Sequence, residues 1–130
     1  MAGSFSDYLE DKLLKHAFTN TAYTPATTLY VGLYTAAPTD AGGGTQISVS
    51  GYARISVAFT VSGTTTLATN SAAVEFAAAT ASWGTVVAVG IFDALTAGNL
   101  LAWADLTTSK TIDTGDIFRI PAGDLDITLS

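Results

Sequence analysis

The sequence predicts a mainly β protein: a β-sandwich or jelly-roll-like domain of about seven or eight strands, preceded by one short N-terminal α-helix. Three observations predict this class. Apolar residues follow a period of two from Leu29 onward, turn signals recur roughly every 8–12 residues, and one helix-like segment precedes them. We therefore expect a helix and linker arm over residues 1–28 and a β-sandwich domain over residues 29–130.

The segment from Ser6 to Phe18 is the predicted helix. Ser6 can cap the first amides, and acidic residues precede basic ones along the segment, as the helix dipole favours. We expect Leu9, Leu13, Leu14 and Phe18 to lie along one apolar stripe. A helix this short needs a packing partner. The sequence leaves open whether that partner is its own domain or a neighbouring subunit.

A polar linker over residues 19–28 leads to the first predicted strand. In that strand Leu29, Val31 and Leu33 share one face, and Tyr30 and Tyr34 share the other. A loop marked by a proline and three glycines then leads to a second strand, predicted over residues 52–61. We expect its inward face to carry Ala53, Ile55, Val57, Phe59 and Val61. We expect its outward face to carry Arg54, Ser56 and Thr60.

The second half of the chain predicts six further strands, most of them separated by glycine-containing turns. A turn at Gly63 and a short strand over residues 73–76 come first. The run from Trp83 to Phe92 is apolar on both faces, which is typical of a central strand covered on both sides. A turn at residues 97–99 leads into a strand over residues 100–106. A turn at residues 114–116 joins a strand around residue 112 to a strand over residues 117–120. Apolar residues alternating at 125, 127 and 129 predict a closing strand.

The composition excludes several classes of function. The chain has 130 residues, a net charge of −6 and only 5 Lys and Arg residues, which argues against binding nucleic acid or an anionic membrane. It contains no cysteine, so disulfides, thiolate catalysis and cysteine-ligated metals are excluded. No signal peptide and no apolar run of membrane-spanning length is evident.

Few residues are suited to catalysis, and we expect no catalytic, cofactor-binding or metal-binding site and no cofactor. His16 is the one histidine and falls near the end of the predicted helix, where its charge would complement the dipole. Asp113 and Asp116 flank a glycine, and Asp124 follows one, which favours turn chemistry. A calcium site at Asp124 and Asp126 is the alternative, without the spacing of an EF-hand.

Aromatic and apolar side chains make the better candidates for binding, since such side chains anchor interfaces. Trp83 and Trp103 are interpreted as core residues, whereas Tyr30 and Tyr34 could lie in the core or on a binding face. The candidate interaction residues are Leu9, Leu13, Phe18, Tyr30, Tyr34 and Tyr52.

Several strings of the sequence together resemble a known family. They are LYVGLYTAAPTDAGGGT over 29–45, GYAR over 51–54, NS over 70–71 followed by FAAATASWGTV over 76–86, GIFD over 90–93, GNLL over 98–101 and PAGDL over 121–125. The set is similar to small proteins encoded in the structural modules of tailed bacteriophages and prophages, often labelled tail-fibre-like. The resemblance covers nearly the whole chain from residue 29 and implies no catalytic residue.

The resemblance implies a non-enzymatic virion protein assembled in the host cytoplasm. A capsid decoration or cement protein is the first expectation, bound to the major capsid protein as a homo-oligomer, with a trimer favoured. The alternative is a tail fibre, tail-associated protein or adhesin that binds a host surface glycan. A small hydrolase of the cell envelope is a third hypothesis, with little in the sequence to support it.

Overall fold

The computed structural model describes residues 3–61 and 67–128. This part of the chain contains one helix and a set of mostly short strands, so the predicted mainly β class is confirmed. In chain order the elements are β1 (Gly3–Phe5), α1 (Asp7–Phe18), β2 (Leu29–Ala36), β3 (Thr45–Gln46), β4 (Ile55–Val57), β5 (Phe59–Val61), β6 (Leu67–Asn70), β7 (Val74–Glu75), β8 (Gly84–Phe92), β9 (Leu100–Ile112), β10 (Arg119–Ile120) and β11 (Asp126–Thr128).

The strands form one large and two small antiparallel sheets in a sandwich-like arrangement. The large sheet has the order β1-β9-β8-β2-β3, with β4 also paired to β2. A three-stranded sheet has the order β11-β6-β5, and β10 pairs with β7. Strand β8 lies between β2 and β9, so the central position predicted for this apolar run is confirmed.

The main core is filled by the inward faces of β2, β8 and β9 and by a cluster of aromatic rings. Val31, Leu33 and Val89 are almost fully buried there. Phe76 contacts Trp83 with an edge-to-face geometry at 6.3 Å between ring centroids. Trp83 is 3% exposed, which confirms its assignment to the core. Aromatic pairs of this geometry contribute about 0.5–1.5 kcal/mol beyond the area they bury.

The outer face of the large sheet carries a second, smaller cluster. Tyr34 and Phe92 stack at 6.2 Å between centroids, next to Ala88. Gly32 and Gly90 are paired in register beneath these rings. A Cβ atom on Gly90 would lie 2.9 Å from the Tyr34 ring, so the two glycines let the aromatic rings lie close to the sheet backbone.

The predicted second strand is divided between two sheets. Strand β4 pairs with β2 in the large sheet, whereas β5 pairs with β6 in the three-stranded sheet. The chain changes layers at Ala58, and this change interrupts the alternation expected from residues 52 to 61. Val57 is buried as predicted, but Ala53 and Val61 are exposed, so their inward placement was wrong.

Other predicted elements differ mainly in extent. Strand β9 continues to Ile112, with a register shift against β8 over the middle of the strand. Strand β6 was not predicted. Asn70, at the end of β6, is 1% exposed, and its side-chain oxygen accepts a hydrogen bond from the Leu125 amide at 2.9 Å. The turn predicted at residues 114–116 is present, whereas residues 97–99 are the end of a longer loop, over residues 93–99, that joins β8 to β9. The predictions at Gly63 and Leu129 lie outside the described residues.

The predicted helix is confirmed, and its N-terminus is anchored to the large sheet. Strand β1 pairs with β9, and the Ser6 hydroxyl caps the helix by accepting a hydrogen bond from the Leu9 amide at 3.2 Å. The same hydroxyl donates to the Leu100 carbonyl. Residues 3–6 are therefore held by the sheet, while the division of the chain at residue 28 stays a prediction.

The single apolar stripe expected along the helix was wrong. Leu9 and Leu13 are half-buried, whereas Leu14 is 58% exposed and Phe18 is 80% exposed. At about 100° per residue, nine positions turn through roughly 900°, which places Leu9 and Phe18 on opposite faces. The helix therefore presents one apolar pair to the body of the protein and another to solvent.

Candidate interaction surface

The three candidate tyrosines occupy different environments. Tyr34 is 4% exposed and belongs to the outer aromatic cluster, while Tyr30 and Tyr52 are half-buried. The Tyr52 hydroxyl accepts hydrogen bonds from the Leu33 amide and from Gln46 Nε2, both at 2.9 Å. Burial raises the pKa of Tyr52, although these hydrogen bonds act in the opposite direction. Tyr34 and Tyr52 therefore take part in internal packing of this chain, and a binding role for the three stays a prediction.

Arg54, which was expected to face outward, instead holds a loop against the large sheet. Its guanidinium carbon lies 3.5 Å from the centroid of the Phe92 ring. Its Nη1 donates to the carbonyls of Ala94 and Ala97, each at 2.8 Å, and its Nη2 donates to Gln46 Oε1 at 3.0 Å. Burial lowers the pKa of Arg54. The alternation pattern gave no indication of this role, because it depends on a loop 40 residues further along the chain.

The first turn of α1 forms an acidic cluster with the loop before β3. The Asp7 amide donates to the Asp40 carbonyl at 2.7 Å, and carboxylate oxygens of Asp7, Glu10 and Asp40 lie within 4.8 Å of one another. Asp40 also accepts a hydrogen bond from Trp103 Nε1 at 2.9 Å. Trp103 is half-buried, so its assignment to the core was wrong; it lies beside the short edge strand β1.

The second half of α1 is basic and is held by the linker that follows it. Lys15 and His16 lie in the last turn, and Lys15 pairs with Asp11 at 3.0 Å. The Tyr23 amide donates to His16 Nδ1 at 3.1 Å, so the linker folds back along the helix. Burial, together with nearby Tyr8 and Asp93, raises the pKa of Tyr23. The helix thus has an acidic N-terminal end and a basic C-terminal end.

An apolar groove opens between the large sheet and the three-stranded sheet, next to the start of α1. It has a volume of about 210 Å³. Its lining is entirely apolar and comes from the helix and both layers: Phe5, Leu9, Leu29, Phe59, Ala68, Ile91, Leu101, Ala102 and Ile127. Of the candidate residues, only Leu9 lines this groove. Sequence reasoning missed the groove because it is formed by residues from seven strands and the helix.

The acidic residues near the C-terminus behave as turn residues where the structure describes them. Asp116 Oδ2 accepts a hydrogen bond from the Asp113 amide at 2.9 Å, and the Asp116 amide donates to the Asp113 carbonyl at 3.0 Å. The Asp124 amide donates to the Pro121 carbonyl at 3.2 Å. This supports turn chemistry for Asp113 and Asp116.

In residues 3–61 and 67–128, no helix is both long and apolar enough to cross a membrane. The surface described above offers an apolar groove, an exposed apolar pair on the helix and an uneven distribution of charge. Features of this kind are typical of the class of proteins that work by contact with other macromolecules.

The family comparison agrees with this class and makes it specific. The family model described as podophage GP4 fiber I protein gp80 matches residues 4–128, and the chain belongs to this family. No curated protein matches the chain. The resemblance to phage structural proteins is therefore confirmed, and the chain is a component of a phage virion.

Proposed function

We propose that the chain is a non-enzymatic fibre component of a phage tail. The observation that carries this proposal is the match of residues 4–128 to a family described as a podophage fiber protein. The fibre description favours the tail-fibre alternative over capsid decoration, for which no comparable support exists. A cysteine-free sandwich with a dense aromatic core suits a protein that must stay folded outside the host cell.

The proposed role is assembly, with association into a homo-oligomer and with other virion proteins. Phage fibres attach to a symmetric particle, and symmetric homo-oligomers are the commonest assemblies of soluble chains. A trimer is the expected state. The burial of Tyr34, and the internal hydrogen bonds of the Tyr52 hydroxyl, support assembly over the exposed tyrosine platform that a glycan-binding adhesin would use.

The location of the protein in purified particles tests the proposal. We expect antibody-bound gold, or added density from a fused tag, at the tail of each particle. Label spread over the capsid surface would support the decoration hypothesis and contradict ours. Binding of the purified chain to host polysaccharide, weakened by Tyr30→Ala but not by the exposed control Thr60→Ala, would support an adhesin.

A further inference from the structure

We propose that the linker after α1 is a pH-sensitive strap, which uncharged His16 holds against the helix and which is released when His16 takes up a proton. The strap is the segment over residues 22–28, between the end of the helix and β2. Within it, the Tyr23 amide donates a hydrogen bond to His16 Nδ1 at 3.1 Å. This contact fixes the charge state of the ring, since an imidazole nitrogen accepts a hydrogen bond only while it carries no proton.

The bond to His16 is the single hydrogen bond that holds the strap. Ahead of it, the amides of Thr19 and Thr21 both donate to the Lys15 carbonyl and complete the C-terminus of the helix. Neither of these two bonds involves a group that changes its charge with pH. Across the described part of the chain, residues 22–28 make no hydrogen bond other than that of Tyr23. Loss of the His16 contact therefore leaves the strap without a hydrogen bond from residue 22 to the start of β2.

Protonation gives the imidazole a different favourable arrangement. A proton on Nδ1 turns this nitrogen into a donor that faces the N–H of Tyr23, so the contact becomes repulsive. The C-terminal end of a helix carries partial negative charge, and His16 lies in the last turn of α1, where a charged imidazole is favoured. Histidine is the side chain that ordinarily changes its charge between about pH 5 and 8. The two charge states of His16 thus favour a held strap and a released strap, respectively.

The titratable groups around His16 come from the helix, the strap and one loop. They are Tyr8, Asp11, Lys12 and Lys15 on the helix, Tyr23 on the strap and Asp93 in the loop after β8. Asp11 forms an ion pair with Lys15, and Asp93 accepts two hydrogen bonds from Asn99, so both carboxylates have partners of their own. The ammonium group of Lys12 lies over the ring of Tyr8. The Tyr23 amide is therefore the contact through which the charge of His16 acts on the strap.

Amide hydrogen exchange followed by NMR on the full chain tests the strap, with each rate divided by that of an unstructured peptide at the same pH. We expect protection of the Tyr23 amide near pH 8 on the order of threefold to tenfold, as a single hydrogen bond provides, and its loss near pH 5. The loss should follow the titration of the His16 ring protons. The Thr21 amide is the internal control, and its protection should be the same at both pH values because it bonds a carbonyl.

Two substitutions separate the charge of the ring from its ability to accept a hydrogen bond. His16→Asn supplies a side-chain oxygen that accepts at either pH, so the Tyr23 amide should stay protected near pH 5. His16→Leu supplies no acceptor, and protection of this amide should be absent at both pH values. Equal protection of the Tyr23 amide at the two pH values in the parent chain would overturn the inference. So would full protection in His16→Leu, or a loss near pH 5 that persists in His16→Asn.

Discussion

The guanidinium of Arg54 lies over the Phe92 ring, with its central carbon 3.5 Å from the ring centroid. Phe92 in turn covers Gly32 and Gly90, whose missing side chains let the ring approach the sheet. The Arg54 side chain also bonds two carbonyls of the loop between β8 and β9. Parts of the GYAR, GIFD and LYVG strings are thus linked in one packing unit on the outer face of the large sheet.

Arg54→Lys should destabilise the fold by about 1–3 kcal/mol. A lysine cannot donate to three acceptors in the fork geometry of a guanidinium, and it stacks less well on an aromatic ring. The free energy of unfolding in urea measures the effect. Arg119→Lys, at an exposed position, is the matched control and should change stability by less than about 0.5 kcal/mol. Equal effects of the two substitutions would contradict this role for Arg54.

Asn70→Ala should cost about 2–4 kcal/mol, because it leaves buried backbone groups without partners. The side-chain nitrogen Nδ2 of Asn70 donates to the carbonyls of Ala72 and Pro121, and the side-chain oxygen Oδ1 accepts from the backbone amide of Leu125. Denaturant unfolding again supplies the measurement. The exposed Asn99 provides the comparison, and Asn99→Ala should cost clearly less. If Asn70→Ala proved no more harmful than Asn99→Ala, the β6–β11 connection would not depend on this side chain.

The two faces of α1 should respond differently to the same substitution. Leu9→Ser should destabilise the protein by about 1–3 kcal/mol, since Leu9 packs against the groove and the large sheet. Phe18→Ser should change the free energy of unfolding by less than about 0.5 kcal/mol, because Phe18 is 80% exposed in the single chain. Both free energies of unfolding are measured in urea on dilute protein. A large loss from Phe18→Ser would mean that the helix packs differently.

Stability should fall as the pH rises above about 10, the ordinary pKa of tyrosine. The pKa values of Tyr34 and Tyr52 are raised mainly by burial. The unfolded chain therefore loses these protons at lower pH than the folded chain, so the stabilisation is complete below the unfolded pKa and is lost as pH rises toward the folded one. Unfolding in urea at a series of alkaline pH values, together with tyrosinate absorbance, provides the measurement.

Tyr34→Phe tests the assignment of this pH dependence. The variant should reduce the loss of stability at alkaline pH relative to the parent chain, because one buried hydroxyl no longer ionises. The unsubstituted chain is the reference at every pH. An unchanged alkaline profile in Tyr34→Phe would show that other groups control the transition.

Local sequence signals determined much of this protein. The helix is set by the Ser6 cap and by the order of acidic and basic residues, which act within one or two turns of chain. The central strand β8 follows from a run that is apolar on both faces, and turn positions follow from glycine and aspartate chemistry. Each of these features depends on residues close together in the chain, so its signal is present in the sequence itself.

Only the tertiary structure decided which surfaces are covered. The change of layer at Ala58 exposes Val61, and the outer cluster buries Tyr34 beneath a network that Arg54 completes. The groove and the exposure of Phe18 depend on how the helix rests against two sheets. Burial of a side chain is set by contacts between segments far apart in sequence, and period and composition alone do not specify which of those segments meet.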